Sequence, residues 1–165
     1  MSGYPSLEKF EDHQSDWNKY IEAVYEIFKQ DFVYSTPIWK PDNAQVRANS
    51  TPMSQQKEFT FWHITSTGKV EEERIPDFKR CERIRYPKFL ITNYPGNLVH
   101  AWEKDVRRSN GGIEKRVHIS NNDFSYLVVL SANKSSKRTL ITAYFVEKVY
   151  QRKKLEKDHK KFKLK

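Results

Sequence analysis

The chain has 165 residues, 37% of them hydrophobic and 14% aromatic, which fits one domain with a real core and only five glycines to loosen it. Its net charge of +9 and pI near 9.5 favour an anionic partner, nucleic acid ahead of a membrane surface, since no apolar run approaches a spanning helix. The first ten residues lack the basic-then-apolar pattern of a signal peptide and Cys81 has no partner for a disulfide, so a cytoplasmic, reducing location is expected.

In chain order, the spacing of Trp17, Ile21, Val24 and Phe28 predicts a helix over Asp16 to Gln30. Thr36-Pro37 and Lys40-Pro41 then break regular structure, and Asn49 to Gln56 reads as an exposed loop or hairpin end. Phe59 to Thr65 suits a strand with Phe59, Phe61 and His63 on one face; a helix would instead group Phe59, Trp62, His63 and Ser66, and the strand is the expectation. Pro76 and Pro87 bracket a short helix holding Phe78, Cys81, Glu82 and Arg85 on one side.

Five strands follow, over Lys88 to Thr92, Asn97 to Lys104, Gly112 to Ser120, Phe124 to Ala132 and Arg138 to Val146, separated by Pro-, Gly- and Asn-rich turns that imply antiparallel hairpins. Ile113, Val117 and Ile119 alternate with Glu114, Arg116 and His118, one buried face against one polar face. In the last strand Ile141, Ala143 and Phe145 should face one way, and Leu140, Thr142, Tyr144 and Val146 the other. A basic helix from Val146 to Lys163 closes a single α+β domain over residues 1–165.

Charge is unevenly spread. Met1 to Asp31 holds seven acids against three bases, whereas Lys148 to Lys165 holds nine bases against Glu156 and Asp158, an end suited to gripping RNA. Metal-ligand spacing, a phosphate-binding glycine loop, a dinucleotide-binding turn and a Gly-x-Ser-x-Gly nucleophile elbow are all absent, so neither metal nor cofactor is expected.

His63 lies close in sequence to Arg74, Arg80, Arg83 and Arg85, a candidate base beside candidate phosphate donors. Cleaving RNA without a metal needs a base for the 2′-hydroxyl, cations for the phosphorane and help for the leaving group. His63 supplies the base in this reading. Arg83 and Arg85 hold phosphate, with Arg80 or Arg116 in reserve, and Thr142 and Tyr144 present hydroxyls from one face of the last strand. Trp102, Lys153 and Lys154 join Arg80 and Arg116 as expected RNA contacts. The arrangement requires His63, and Arg83 or Arg85, on the same side of the sheet as Thr142 and Tyr144.

Phe61-Trp62-His63-Ile64-Thr65, Arg74-Ile75-Pro76-Asp77, Arg80 to Arg85, Tyr126 to Leu130 and Thr142-Ala143-Tyr144 before the Lys-rich helix together resemble the phage-associated nuclease family grouped with barnase, EndoU, colicin and RelE folds. The pattern departs from that family at Tyr86-Pro87, where members carry Trp-Pro, and at Ile141, where they carry Trp. The resemblance implies N-terminal helices packed on a four- to five-stranded antiparallel sheet and a metal-independent endoribonuclease of toxin or phage-conflict type. It also implies RNA, such as tRNA or mRNA, as substrate, and an acidic antitoxin or immunity protein as partner. Two other classes fit the same sequence: a non-catalytic RNA-binding module, and a phage or host interaction protein whose acidic first helix meets a basic partner.

Overall fold

The structure, a computed structural model, describes residues 3–68 and 73–164, so Lys165 of the basic tail lies outside the described residues. Helix α1 (Trp17–Phe32) starts where the Asp16 side chain accepts from the Lys19 N–H and buries Tyr20, Ile21, Val24, Phe28 and Phe32. Complete burial of a ring such as Phe28 contributes about 2 kcal/mol of hydrophobic free energy.

The segment expected to break regular structure instead adds β1 (Ile38–Trp39) and β2 (Ala44–Arg47) to the sheet. Pro37 and Pro41 lie just outside these strands, so neither removes a ladder donor. Asp42, between them, pairs with the buried Arg138 at 2.6 Å. Burial works to raise the Asp42 carboxyl's pKa, but bonds from Arg138 and Asn133 outweigh it and hold the group below the usual carboxylate range.

Phe59–Thr65 is helix α2 and not the expected strand. Its buried residues, Thr60, Phe61, Ile64 and Thr65, form a helical stripe, and carbonyls of Asn49 and Ser50 accept the free N–H groups of Thr60 and Phe59. It packs along β8. A short ladder of β3 (Ser66–Thr67) and β4 (Ile75–Pro76) follows.

The short helix expected between Pro76 and Pro87 is there but ends at Glu82, which leaves Arg85 outside it and Pro76 in β4, and a second helix begins at Tyr86. Asp77 caps α3 (Phe78–Glu82) by accepting from Lys79 and Arg80, and Pro87 falls in the first turn of α4 (Tyr86–Thr92). Pro there opens a helix, because its missing N–H is one that a first turn leaves unpaired anyway. The strand expected over Lys88 to Thr92 is therefore this helix, with Leu90 and Ile91 buried.

Four long strands match the hairpin reading: β5 (Val99–Arg107), β6 (Ile113–Asn121), β7 (Tyr126–Leu130) and β8 (Lys137–Phe145). The sheet order is β1-β2-β8-β7-β6-β5. Six strands replace the expected four or five, and the sheet is mixed because β2 pairs parallel with β8. The α+β class stands; purely antiparallel pairing does not.

One face of the sheet joins α1 to α4 in the main core through Val117, Ile119, Val128, Leu130 and Ala143. The other buries Trp102, Leu127, Val129 and Val146 beneath Leu155 and Phe162 of the closing helix α5 (Val149–Phe162). A register shift between Val129 and Leu130 puts Thr142 opposite Val129 and Leu140 opposite Leu130, so Ile141 is an extra residue. Leu140 consequently joins the main core and Ile141 the second one, the reverse of their expected faces. Among the described residues no helix is long and apolar enough to cross a membrane.

Candidate active site

Facing residues of an antiparallel pair share a side of the sheet, so the registers of β5 to β8 fix which side chains stand together. On the α5 side, one rung runs Trp102, His118, Val129, Thr142. The rung before it runs His100, Ser120, Leu127, Tyr144, and the one after begins with Lys104 and Arg116. Between these rungs and α5 is a cleft of about 370 Å³. Its polar lining includes Lys104, Arg116, His118, Thr142 and Tyr144 from the sheet, with Gln151, Lys154 and Asp158 from α5.

His118 stacks on Trp102, ring centroids 5.6 Å apart and planes 12° from parallel. Burial pushes its pKa below the ordinary imidazole value, and the charges of Lys104 and Arg116 push the same way, against a backbone bond at Arg116 and the carboxylate of Asp158. The ring is thus neutral at neutral pH, the form that accepts a proton. Its Nδ1 is buried without a hydrogen-bond partner.

The cations are placed by carboxylates. Arg116 Nε donates to Glu114 Oε2 at 2.9 Å, while Glu114 Oε1 accepts from the Ala132 N–H. Burial would raise the Glu114 pKa, but these bonds hold it low. Lys104 Nζ donates to Asp158 Oδ2 at 2.9 Å. The Tyr144 ring lies 5.3 Å from the guanidinium carbon of Arg80; burial raises the phenol's pKa while Arg80 opposes the rise, and the hydroxyl stays protonated.

Of the residues singled out from sequence, Thr142, Tyr144, Arg116 and Lys154 line this cleft and Trp102 backs His118. His63 does not line it. The ring of His63 sits 4.2 Å from that of Phe59 on α2, whose Phe61 and Ile64 pack into the main core on the other face. The His63 carbonyl accepts from Arg80 at 3.0 Å, so Arg80 spans from α2 to the Tyr144 ring. Arg83 pairs with Glu82 at 2.6 Å and covers the Phe145 ring at 4.3 Å. Arg85 pairs with Glu8 at 3.1 Å, among residues of the N-terminal segment, α1 and α4. Lys153 is exposed on α5. Thr142 and Tyr144 thus line a cleft whose walls do not include His63, while Arg80 links the His63 carbonyl to the Tyr144 ring.

His118 is the functional candidate that sequence reading passed over. It entered there only as one polar position in the alternation of its strand. The signal was present, because the alternation sets His118 with Arg116, and hairpin pairing then brings Trp102 and Lys104 to the same side.

Among the described residues no group of three or more His, Cys, Asp or Glu side chains is gathered that could hold a metal ion. Family models, curated proteins and solved structures were all compared with the chain, and none matches it.

Proposed function

We propose that the chain is a metal-independent endoribonuclease, of toxin or phage-conflict type, that cleaves RNA in the cleft between the sheet and α5. The observation that carries this reading is His118 on one rung with Thr142, its imidazole neutral, in a cleft whose Lys104, Arg116 and Lys154 are all cationic. In this reaction His118 takes the proton from the ribose 2′-hydroxyl, and the 2′-oxygen forms a bond to phosphorus. Lys104, Arg116 and Lys154 bear the negative charge of the phosphorane. The bond from phosphorus to the 5′-oxygen breaks as Tyr144 donates its hydroxyl proton to that oxygen, leaving a 2′,3′-cyclic phosphate. His118 then releases its proton to solvent, which restores the phenol.

Purified protein incubated with total RNA in EDTA should yield 2′,3′-cyclic phosphate and 5′-hydroxyl ends. Products with 3′-hydroxyl ends, or activity lost on chelation, would overturn the mechanism. A second reading, a binding module without chemistry, is favoured by the exposed Lys153, Lys157, Lys160 and Lys161 of α5, which attract RNA whether or not it is cut. Tight binding with no product under any of these conditions would select it.

A further inference from the structure

Helix α5 carries only two acids among its many bases, and they differ in setting. Glu156 is exposed, whereas the Asp158 side chain is 20% exposed, with its carboxylate on Lys104 Nζ at 2.9 Å. The other charged residues lining the cleft are Lys104, Arg116 and Lys154, so Asp158 is the one acid there among the described residues. A carboxylate oxygen on an ammonium resembles a phosphodiester oxygen in the same place: each brings one negative charge and a charge-assisted bond of similar length.

We infer that Asp158 is an internal competitor for the substrate, occupying Lys104 until an RNA phosphate replaces it, and so determines how tightly the cleft takes up RNA. This rests on the cleft being the RNA site proposed above. The exchange does not require α5 to leave. Leu155 and Phe162 stay packed in the second core, Arg152 Nε donates to the Val146 carbonyl at 2.7 Å, and the Leu164 N–H donates to that of Ala101. Once displaced, however, the Asp158 carboxylate remains in a cleft that now also holds a phosphate. That like-charge repulsion keeps affinity below what three cations alone would give.

The test is equilibrium binding of a 2′-O-methyl RNA oligonucleotide, which cannot be cleaved, followed by fluorescence anisotropy across a salt series. Asp158→Asn should bind about tenfold tighter, the competing ion pair at Lys104 and the residual repulsion both being removed, while the log-log salt slope stays the same because Lys104 meets one phosphate in either protein. In a Lys104→Gln background the same substitution should gain less, because the repulsion but not the competition is left to remove. A merely structural ion pair predicts the opposite sign, so unchanged or weaker binding by a folded Asp158→Asn protein overturns the inference. Independently of any variant, the carboxyl ¹³C resonance of Asp158 in the unaltered protein should move on saturation with the oligonucleotide; a resonance that stays put also overturns it. Cleavage of ordinary RNA without these affinity changes removes the competitor alone, while the affinity changes without cleavage keep the competitor and remove the ribonuclease.

Discussion

His118 and Thr142 lie on one rung of the sheet, two strands apart, with Val129 between them. Two strand spacings are about 10 Å, room for a ribose and its phosphodiester between an imidazole and a hydroxyl. Because the pairing partners are consecutive hairpins, this separation is fixed by backbone hydrogen bonds and not by flexible side chains.

His118→Gln should lower cleavage by about 10²- to 10⁴-fold, the usual contribution of a general base, with RNA binding retained. His63→Ala should leave cleavage within a few-fold, since His63 does not line the cleft. Single-turnover rates for the two variants decide between the histidines, and a large loss in His63→Ala alone would restore the sequence-based assignment.

Tyr144→Phe keeps the ring under Arg80 and removes only the hydroxyl. Cleavage should fall by at least about tenfold with little change in melting temperature. An ester analogue with a good leaving group on the 5′ side should recover most of the rate, because it needs no proton; failure to recover would reassign Tyr144 to packing.

Acid should destabilise the fold through its histidines. Burial lowers the pKa of His118, and burial together with His100, whose ring centroid is 4.5 Å away, lowers that of His159. Below the ordinary imidazole value of 6.5 the unfolded chain therefore binds more protons than the folded one. Stability is fully present above that pH and is lost as pH falls through the folded values. Urea unfolding at pH 7 and pH 5 measures this, and replacing His159 with Gln should shrink the difference.

The exposed lysines of α5 should contribute affinity and not chemistry. Replacing Lys153, Lys157 and Lys160 with Gln keeps Leu155 and Phe162 in place, unlike truncation. The salt dependence of RNA binding should flatten by about 0.7 per lost phosphate contact. The single-turnover rate at saturating RNA should stay the same.

Local pattern alone determined α1, through three- and four-residue apolar spacing behind the Asp16 cap, and the hairpins from β5 to β8, through their turn residues. It also determined that Thr142 and Tyr144 share a face, because strand side chains alternate whatever the partner strand. Tertiary structure decided the remainder. Phe59–Thr65 became a helix because its stripe of Phe61 and Ile64 meets the main core along β8, and Pro87 became a helix start because Leu90 and Ile91 found places in that core. The shift at Val129 and Leu130 exchanged the faces of Leu140 and Ile141, which no count along one strand reveals. The same non-local register set His118 opposite Trp102 and across from Thr142, while the packing of α2 kept His63 out of their cleft. Side-chain alternation is a property of one strand, but the identity of the residue across the sheet depends on backbone hydrogen bonds between segments far apart in sequence.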